Sequence, residues 1–164
     1  MIRVQAEPFD PGAEIATFTD TSGRVGAVAT FLGLVRDHHG APGNDPAQVQ
    51  ARIQTMTLEH YPGMTERQLQ ALEDEARARW PALADVLVIH RHGRMAPGEP
   101  IVLVCTASAH RAAALDACAF LIDWLKTKAP FWKREDTADG GARWVEAKDA
   151  DAAAAARWAR PESG

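Results

Sequence analysis

Lys126 to Arg134 reads Lys-Thr-Lys-Ala-Pro-Phe-Trp-Lys-Arg, four cations in nine residues interleaved with Pro130, Phe131 and Trp132. Lys126 and Lys128 fall where a helix would end, and cations there suit the helix dipole, which is explanation enough for both. Lys133 is different, since it opens a strand beside two aromatics. A lysine held against apolar surface near other cations can exchange its proton near neutral pH, which suits acid–base or nucleophilic work. Lys126 and Lys133 are therefore candidate catalytic residues. Pro130 can turn the chain so that both reach one cleft, walled by Phe131 or Trp132. Lys128 would point about 200° away from Lys126 around the helix axis.

A second segment, Ser108-Ala109-His110-Arg111, follows an apolar run and opens a helix, with Ser108 as its expected N-cap. Cations in a first helical turn oppose the dipole, so His110 and Arg111 suggest a bound anion such as phosphate. An exposed arginine and a histidine packed on a sheet explain the pair equally well. Arg36-Asp37-His38-His39 ends a long apolar stretch. Arg36 could clamp an anion. Adjacent His38 and His39 would point to opposite faces of a strand, so no metal site is expected there. Glu59-His60 and His90-Arg91-His92-Gly93 sit at strand ends, where a turn or an interface is the expected use.

These groups need elements to hold them. Residues 2–6 read as a strand, and Asp10-Pro11 as the start of a helix through Phe18. Residues 24–36 form a long apolar strand with Gly26 and Gly33 as bulges or points of close approach. Residues 37–51, rich in Gly, Pro, Asn and Asp, read as a mobile loop. A strand over 52–60 precedes a helix that Thr65 and Gln68 open as a capping box and Pro81 closes. Strands over 86–92 and 101–107, a helix over 109–127, a hairpin across Asp139-Gly140-Gly141 and a short C-terminal helix in a 150–164 tail complete the chain. The mixed order predicts an α+β fold with a largely antiparallel sheet.

At 164 residues, 46% hydrophobic and 24% charged, the chain fits one domain spanning 1–164 with enough core to need no disulfide. Cys105 and Cys118 have no CxxC or metal-ligand spacing and read as small buried hydrophobes. A net charge of −4 disfavours a nucleic-acid binder. Without an 18-residue apolar run or a signal-peptide core, the expected place is the cytoplasm, off the membrane.

Phe31-Leu32-Gly33-Leu34-Val35-Arg36, Leu58-Glu59-His60-Tyr61-Pro62-Gly63-Met64, His90-Arg91-His92-Gly93, Ser108-Ala109-His110-Arg111 and Leu125 to Glu135, followed by Arg143-Trp144-Val145-Glu146, stand in one order along the chain. Together they resemble the large, catalytic subunit family of molybdopterin synthase. The resemblance implies an α/β hammerhead-like fold with an added antiparallel β subdomain. It implies a homodimer within a heterotetramer, flanked by a small ubiquitin-like sulfur-carrier subunit whose Gly-Gly end carries a thiocarboxylate. It implies sulfur transfer to cyclic pyranopterin monophosphate, giving the dithiolene of molybdopterin, with no cofactor or metal of its own. Carried over by motif, Lys126 and Lys133 receive the thiocarboxylate. Arg36, His110 and Arg111 bind substrate, and Leu34, Val35, Arg134 and Glu135 belong to the same binding stretches. By resemblance the pocket can draw residues from both copies of the dimer. Two other classes remain: a non-catalytic module docking an acidic tail, and a Schiff-base lysine enzyme.

Overall fold

Val86, Leu87, Val88 and Ile89 are apolar in an unbroken run, so a strand built from them must be covered on both faces. It is the centre of the molecule. The structure, a computed structural model, describes residues 1–20, 24–37, 52–137, 140–145 and 149–158. In chain order these form β1 (Ile2–Gln5), α1 (Pro11–Thr19), β2 (Ala27–Leu34), β3 (Ile53–His60), α2 (Met64–Arg79) and β4 (Leu83–Arg91). They continue with β5 (Gly93–Met95), β6 (Pro100–Ser108), α3 (Arg111–Lys128), β7 (Phe131–Thr137), β8 (Ala142–Val145) and α4 (Asp149–Ala156). The fold is α+β. Most of the 37–51 loop and the end of the C-terminal tail lie outside the described residues.

Among the described residues the strands form two four-stranded sheets, in keeping with a domain that carries an added antiparallel β subdomain. The first has the order β1-β4-β6-β2 and the second β5-β3-β7-β8. Among the described strands β1 and β4 run parallel, and the other pairs are antiparallel. The chain passes from one sheet to the other through His92-Gly93, where Gly93 takes a φ of +84° that side-chain-bearing residues avoid. The three-residue β5 that follows is too short to show alternation.

Helices α2 and α3 cover one face of the first sheet through Leu69, Leu72, Ala76, Ala117, Phe120 and Leu121, packed on Val86, Val88 and Val104. The opposite face, carrying Leu87, Ile89, Leu103 and Cys105, takes Phe9, Ile15 and Phe18 from around α1. Phe120 is fully buried, which contributes about 1.5–3 kcal/mol. Trp80 and Trp158 meet its ring edge-on at 5.4 and 5.8 Å. Val35, Met56, Leu58 and Met95 form a smaller core that joins the second sheet to the end of the first.

Two helix starts differ from expectation. Asp10 caps α1 as read, accepting from Gly12 and Ala13 N–H. For α2 the cap is Gly63, at φ +78°, whose N–H donates to the Glu66 carboxylate at 2.6 Å. Thr65 lies inside the first turn and its hydroxyl donates to the Tyr61 carbonyl, so the Thr65–Gln68 box does not form. Only a residue tolerating positive φ could make the Tyr61-Pro62-Gly63 turn, and that places the helix start two residues earlier. For α3, Ser108 is the last residue of β6, fully buried, and its hydroxyl donates to the Ala82 carbonyl. The N-cap is His110, which gives no side-chain bond to the helix. The β6–α3 junction is pressed against β2, since a Cβ on Gly26 would stand 2.5 Å from the Ala109 carbonyl oxygen.

Candidate active site

A cleft of about 790 Å³ opens where the two sheets meet. One wall comes from the end of β2 and the residues after it, Phe31, Leu34, Val35 and Arg36. The last turns of α3 supply Ile122, Leu125 and Lys126. The second sheet supplies Met56 and Leu58 from β3, and Phe131, Lys133 and Glu135 from β7. Alternation along β7 explains the choice: Lys133 and Glu135 share a face, while Trp132 and Arg134 point away.

The two candidate catalytic lysines therefore meet. Lys126 lies in the last turn of α3, Ala129 and Pro130 turn the chain, and Lys133 enters the same cleft from β7. Phe131 is the aromatic wall; Trp132 is 52% exposed on the other face. Each ammonium faces a carboxylate. Lys133 Nζ lies 2.5 Å from Glu135 Oε1, and Lys126 Nζ lies 3.4 Å from Asp151 Oδ1. Glu135 is completely buried, and Arg143 stands 3.6 Å from its other oxygen. A carboxylate in so dry a place is tolerable only with such cations beside it. Lys128 is outside the cleft, its ammonium 3.7 Å from the Trp124 ring centroid.

Arg36, Leu34 and Val35 line the cleft as expected. His110, Arg111 and Arg134 do not. Arg134 pairs with Asp136 at 3.3 Å on the far face of the sheet. His110 and Arg111 are separated from Arg36 by the length of β2. Ala27 faces Ser108 at one end of that strand and Leu34 faces Pro100 at the other. Eight residues of strand span roughly 25 Å, so within one chain these cations cannot hold one phosphate. Both His110 and Arg111 are solvent-exposed at the uncapped start of α3, free to meet an anion from outside. His38 and His39 lie outside the described residues.

His90, read from the sequence as structural or part of an interface, also lines the cleft. His90 is buried at the base of the cleft, stacked on Phe131 with ring centroids 3.9 Å apart. Its Nδ1 lies 2.9 Å from the Arg91 carbonyl, which can only accept, so the proton sits on Nδ1 and Nε2 is the acceptor. Burial is the main reason its pKa falls to about 4, and the nearby His60 and His92 push the same way. The signal was present in the alternation of β4, where His90 shares a face with Val86 and Val88.

This predicts an acid sensitivity with a defined sign. The native state keeps His90 neutral, whereas the unfolded chain protonates it near pH 6.5. Stability should fall as pH drops from 6.5 towards 4, by about 3 kcal/mol over that window. His92, lowered by burial as well, adds in the same direction. Urea melts of the wild type and His90→Phe at pH 7 and pH 4.5 read this directly. The variant should lose markedly less stability between the two; an equal loss would assign the sensitivity elsewhere.

The two thiols are not placed for chemistry here. Cys105 and Cys118 are free and buried, and burial pushes both pKa values up, that of Cys118 to about 11. A thiol held protonated is a poor nucleophile. Among the described residues no group of three His, Cys, Asp or Glu side chains could hold a metal ion. What the cleft offers is an apolar slot with Lys126, Lys133 and Arg36 set against Glu135 and Asp151. It suits an extended acidic chain end and a second anion, with ammonium groups placed to give and take protons.

A family model described as the MoaE protein matches residues 4–128. The molybdopterin synthase catalytic subunit of Cereibacter sphaeroides is 56% identical over 157 residues, covering 96% of this chain and 99% of the relative. Among solved structures, the molybdopterin biosynthesis MoaE protein from Burkholderia ambifaria superposes with a TM-score of 0.76 at 45% identity, covering 96% of this chain and 97% of that one. Molybdopterin synthase from Staphylococcus aureus superposes with a TM-score of 0.74 at 27% identity, covering 88% and 96%.

Proposed function

The chain belongs to the MoaE protein family, and from that premise we propose that it is the catalytic subunit of a molybdopterin synthase. It takes sulfur from the thiocarboxylate that ends a small ubiquitin-like carrier and places it on cyclic pyranopterin monophosphate. The observation that carries this reading is the meeting of Lys126 and Lys133 in one apolar-walled cleft from two separate elements.

A carrier tail ending in Gly-Gly has no side chains to clash, so it can thread a narrow slot in extended form. Its terminal thiocarboxylate is an anion and replaces the carboxylates that Lys126 and Lys133 face in the free chain. The cyclic phosphate of the substrate is a second anion. Bringing the two together is repulsive, and cations in a site shielded from water offset that repulsion. In each transfer a carbon–sulfur bond forms on the pterin as a carbon–oxygen bond there breaks, the oxygen staying on the phosphate where the cyclic ester opens and leaving as water at the other carbon. The sulfur leaves the carrier's carbonyl carbon, and water supplies the oxygen that turns that end into an ordinary carboxylate. Two such transfers give the dithiolene. The lysines are placed to move the protons that these steps require.

Arg36 holds the substrate's phosphate at the rim of the cleft. His110 and Arg111 join it from a second copy of the chain, since the length of β2 forbids it within one copy. The functional unit is thus a homodimer, each copy accompanied by one carrier. No helix among the described residues is long and apolar enough to cross a membrane. We place the reaction in the cytoplasm, where two unpaired thiols are ordinary.

Because neither thiol suits sulfur chemistry, the chain should make no molybdopterin from substrate and inorganic sulfide. Adding carrier with a thiocarboxylate end should start product formation, and carrier ending in a plain carboxylate should not. Product from sulfide at the rate seen with thiocarboxylated carrier would overturn the reading.

A further inference from the structure

Arg91 is 4% exposed, an unusual place for a guanidinium that no described function uses. It ends β4 with its side chain turned away from the face that carries His90 into the cleft. Its Nη1 donates to Glu99 Oε2 at 2.8 Å and to the Pro100 carbonyl at 3.1 Å, and its Nε to the Ala6 carbonyl at 3.4 Å. Two of these acceptors belong to the tight turn that leads into β6. That turn closes with the Glu99 N–H donating to the Ala96 carbonyl, and Gly98 takes a φ of +86°.

The same turn grips the residue before Arg36. Val35 N–H donates to the Glu99 carbonyl at 3.0 Å, and Gly98 N–H donates to the Val35 carbonyl at 2.8 Å. The regular β2–β6 register has already shifted at Gly33/Leu34. Beyond that point the turn, not the ladder, sets where the chain goes. Val35 is 4% exposed and packs on Met56, Leu58 and Met95, which fixes its direction, so the next side chain, Arg36, emerges at the cleft.

We infer that Arg91, through Glu99 and the 96–100 turn, is a positioning residue that sets Arg36 for the substrate's anionic group. This rests on the reading of Arg36 as the phosphate ligand. An arginine is needed because its planar fork lets Nη1 hold Glu99 and Pro100 while Nε reaches the Ala6 carbonyl, a spread that a lysine's single ammonium matches less well. Burying the charge is tolerable because Glu99 compensates it.

The test is steady-state turnover of the chain with thiocarboxylated carrier, varying cyclic pyranopterin monophosphate. The variants are Arg91→Met, Arg91→Lys and Glu99→Gln, the first also made with Arg36→Ala. Arg91→Met should raise KM for the pterin on the order of tenfold with kcat little changed, a coupling typical of residues in one network. Arg91→Lys should recover part of the loss. In the Arg36→Ala background Arg91→Met should add nothing further. If Arg91→Met fails to fold, Glu99→Gln breaks the same pair from its partly exposed side and should raise KM in the same sense. A raised KM in Arg36→Ala alone, with normal KM in Arg91→Met and Glu99→Gln, overturns the positioning role and leaves Arg36 standing. Equal rises from Arg91→Met in both backgrounds overturn it too. An unchanged KM in Arg36→Ala sinks the phosphate reading of Arg36 and this inference with it.

Discussion

Alanine at Lys126 or Lys133 should lower turnover by on the order of 10²-fold or more, the usual scale for a lost acid–base group, while alanine at Lys128 should leave it nearly unchanged. The reason is placement. Lys126 and Lys133 line one cleft, and Lys128 lies over the Trp124 ring on another side of α3. The two losses should differ in kind. Removing Lys133 takes from the buried Glu135 a cation 2.5 Å away, so Lys133→Ala should also lower the melting temperature. Lys126 pairs at the exposed mouth with Asp151, and an exposed pair of that sort adds little stability, so Lys126→Ala should melt close to wild type. Turnover with purified thiocarboxylated carrier, run beside thermal melts, reads both effects. A crippled Lys128→Ala beside two active variants would mean that the cleft is not the reaction site.

Arg36→Ala and Arg111→Ala should each lose most activity alone, and mixing the two weakened proteins should restore part of it. The two residues stand at opposite ends of β2, roughly 25 Å of strand apart, so a site using both must span two copies. In a mixed dimer one site then carries both substitutions and the other carries neither. Each single loss should amount to about 1.5–3 kcal/mol in substrate binding, the range for a hydrogen bond to a charged group. The measurement is turnover after dissociating and reassociating the two variants together, against each treated alone. Failure to recover activity, with mixed dimers shown to form, would place Arg36 and Arg111 in unrelated sites.

These two expected outcomes differ in how far the sequence alone makes them legible. Lys126 and Lys133 are seven residues apart with a proline between them, so a local turn suffices to bring them together, and the cation–aromatic spacing points at the cleft. Arg36 and Arg111 each read as an anion ligand because each is a cation at an element end, and the family resemblance alone put them in one site. Their separation depends on the antiparallel pairing of β2 with β6, which sets Leu34 beside Pro100 and Ala27 beside Ser108. No local pattern carries that information. The same limit explains Ser108. Its type and position suit a cap, but its burial against Ala82 is a long-range fact that extends the strand and moves the helix start to Arg111. His90 and Arg91 looked alike as neighbours at a strand end. The pleat sends one into the cleft and the other to the Glu99 turn, and only the partners on each side give them separate tasks.

The measurement that bears most directly on the central reading is a single-turnover experiment with carrier whose thiocarboxylate sulfur is isotopically labelled. The purified chain, labelled carrier and cyclic pyranopterin monophosphate are mixed, and the label is followed by mass spectrometry. The label should appear in the dithiolene of molybdopterin, with the carrier recovered as a plain Gly-Gly carboxylate, and Lys133→Ala should stop the transfer while carrier still binds. Molybdopterin formed with unlabelled sulfur, or carrier left fully thiocarboxylated as product accumulates, would contradict it.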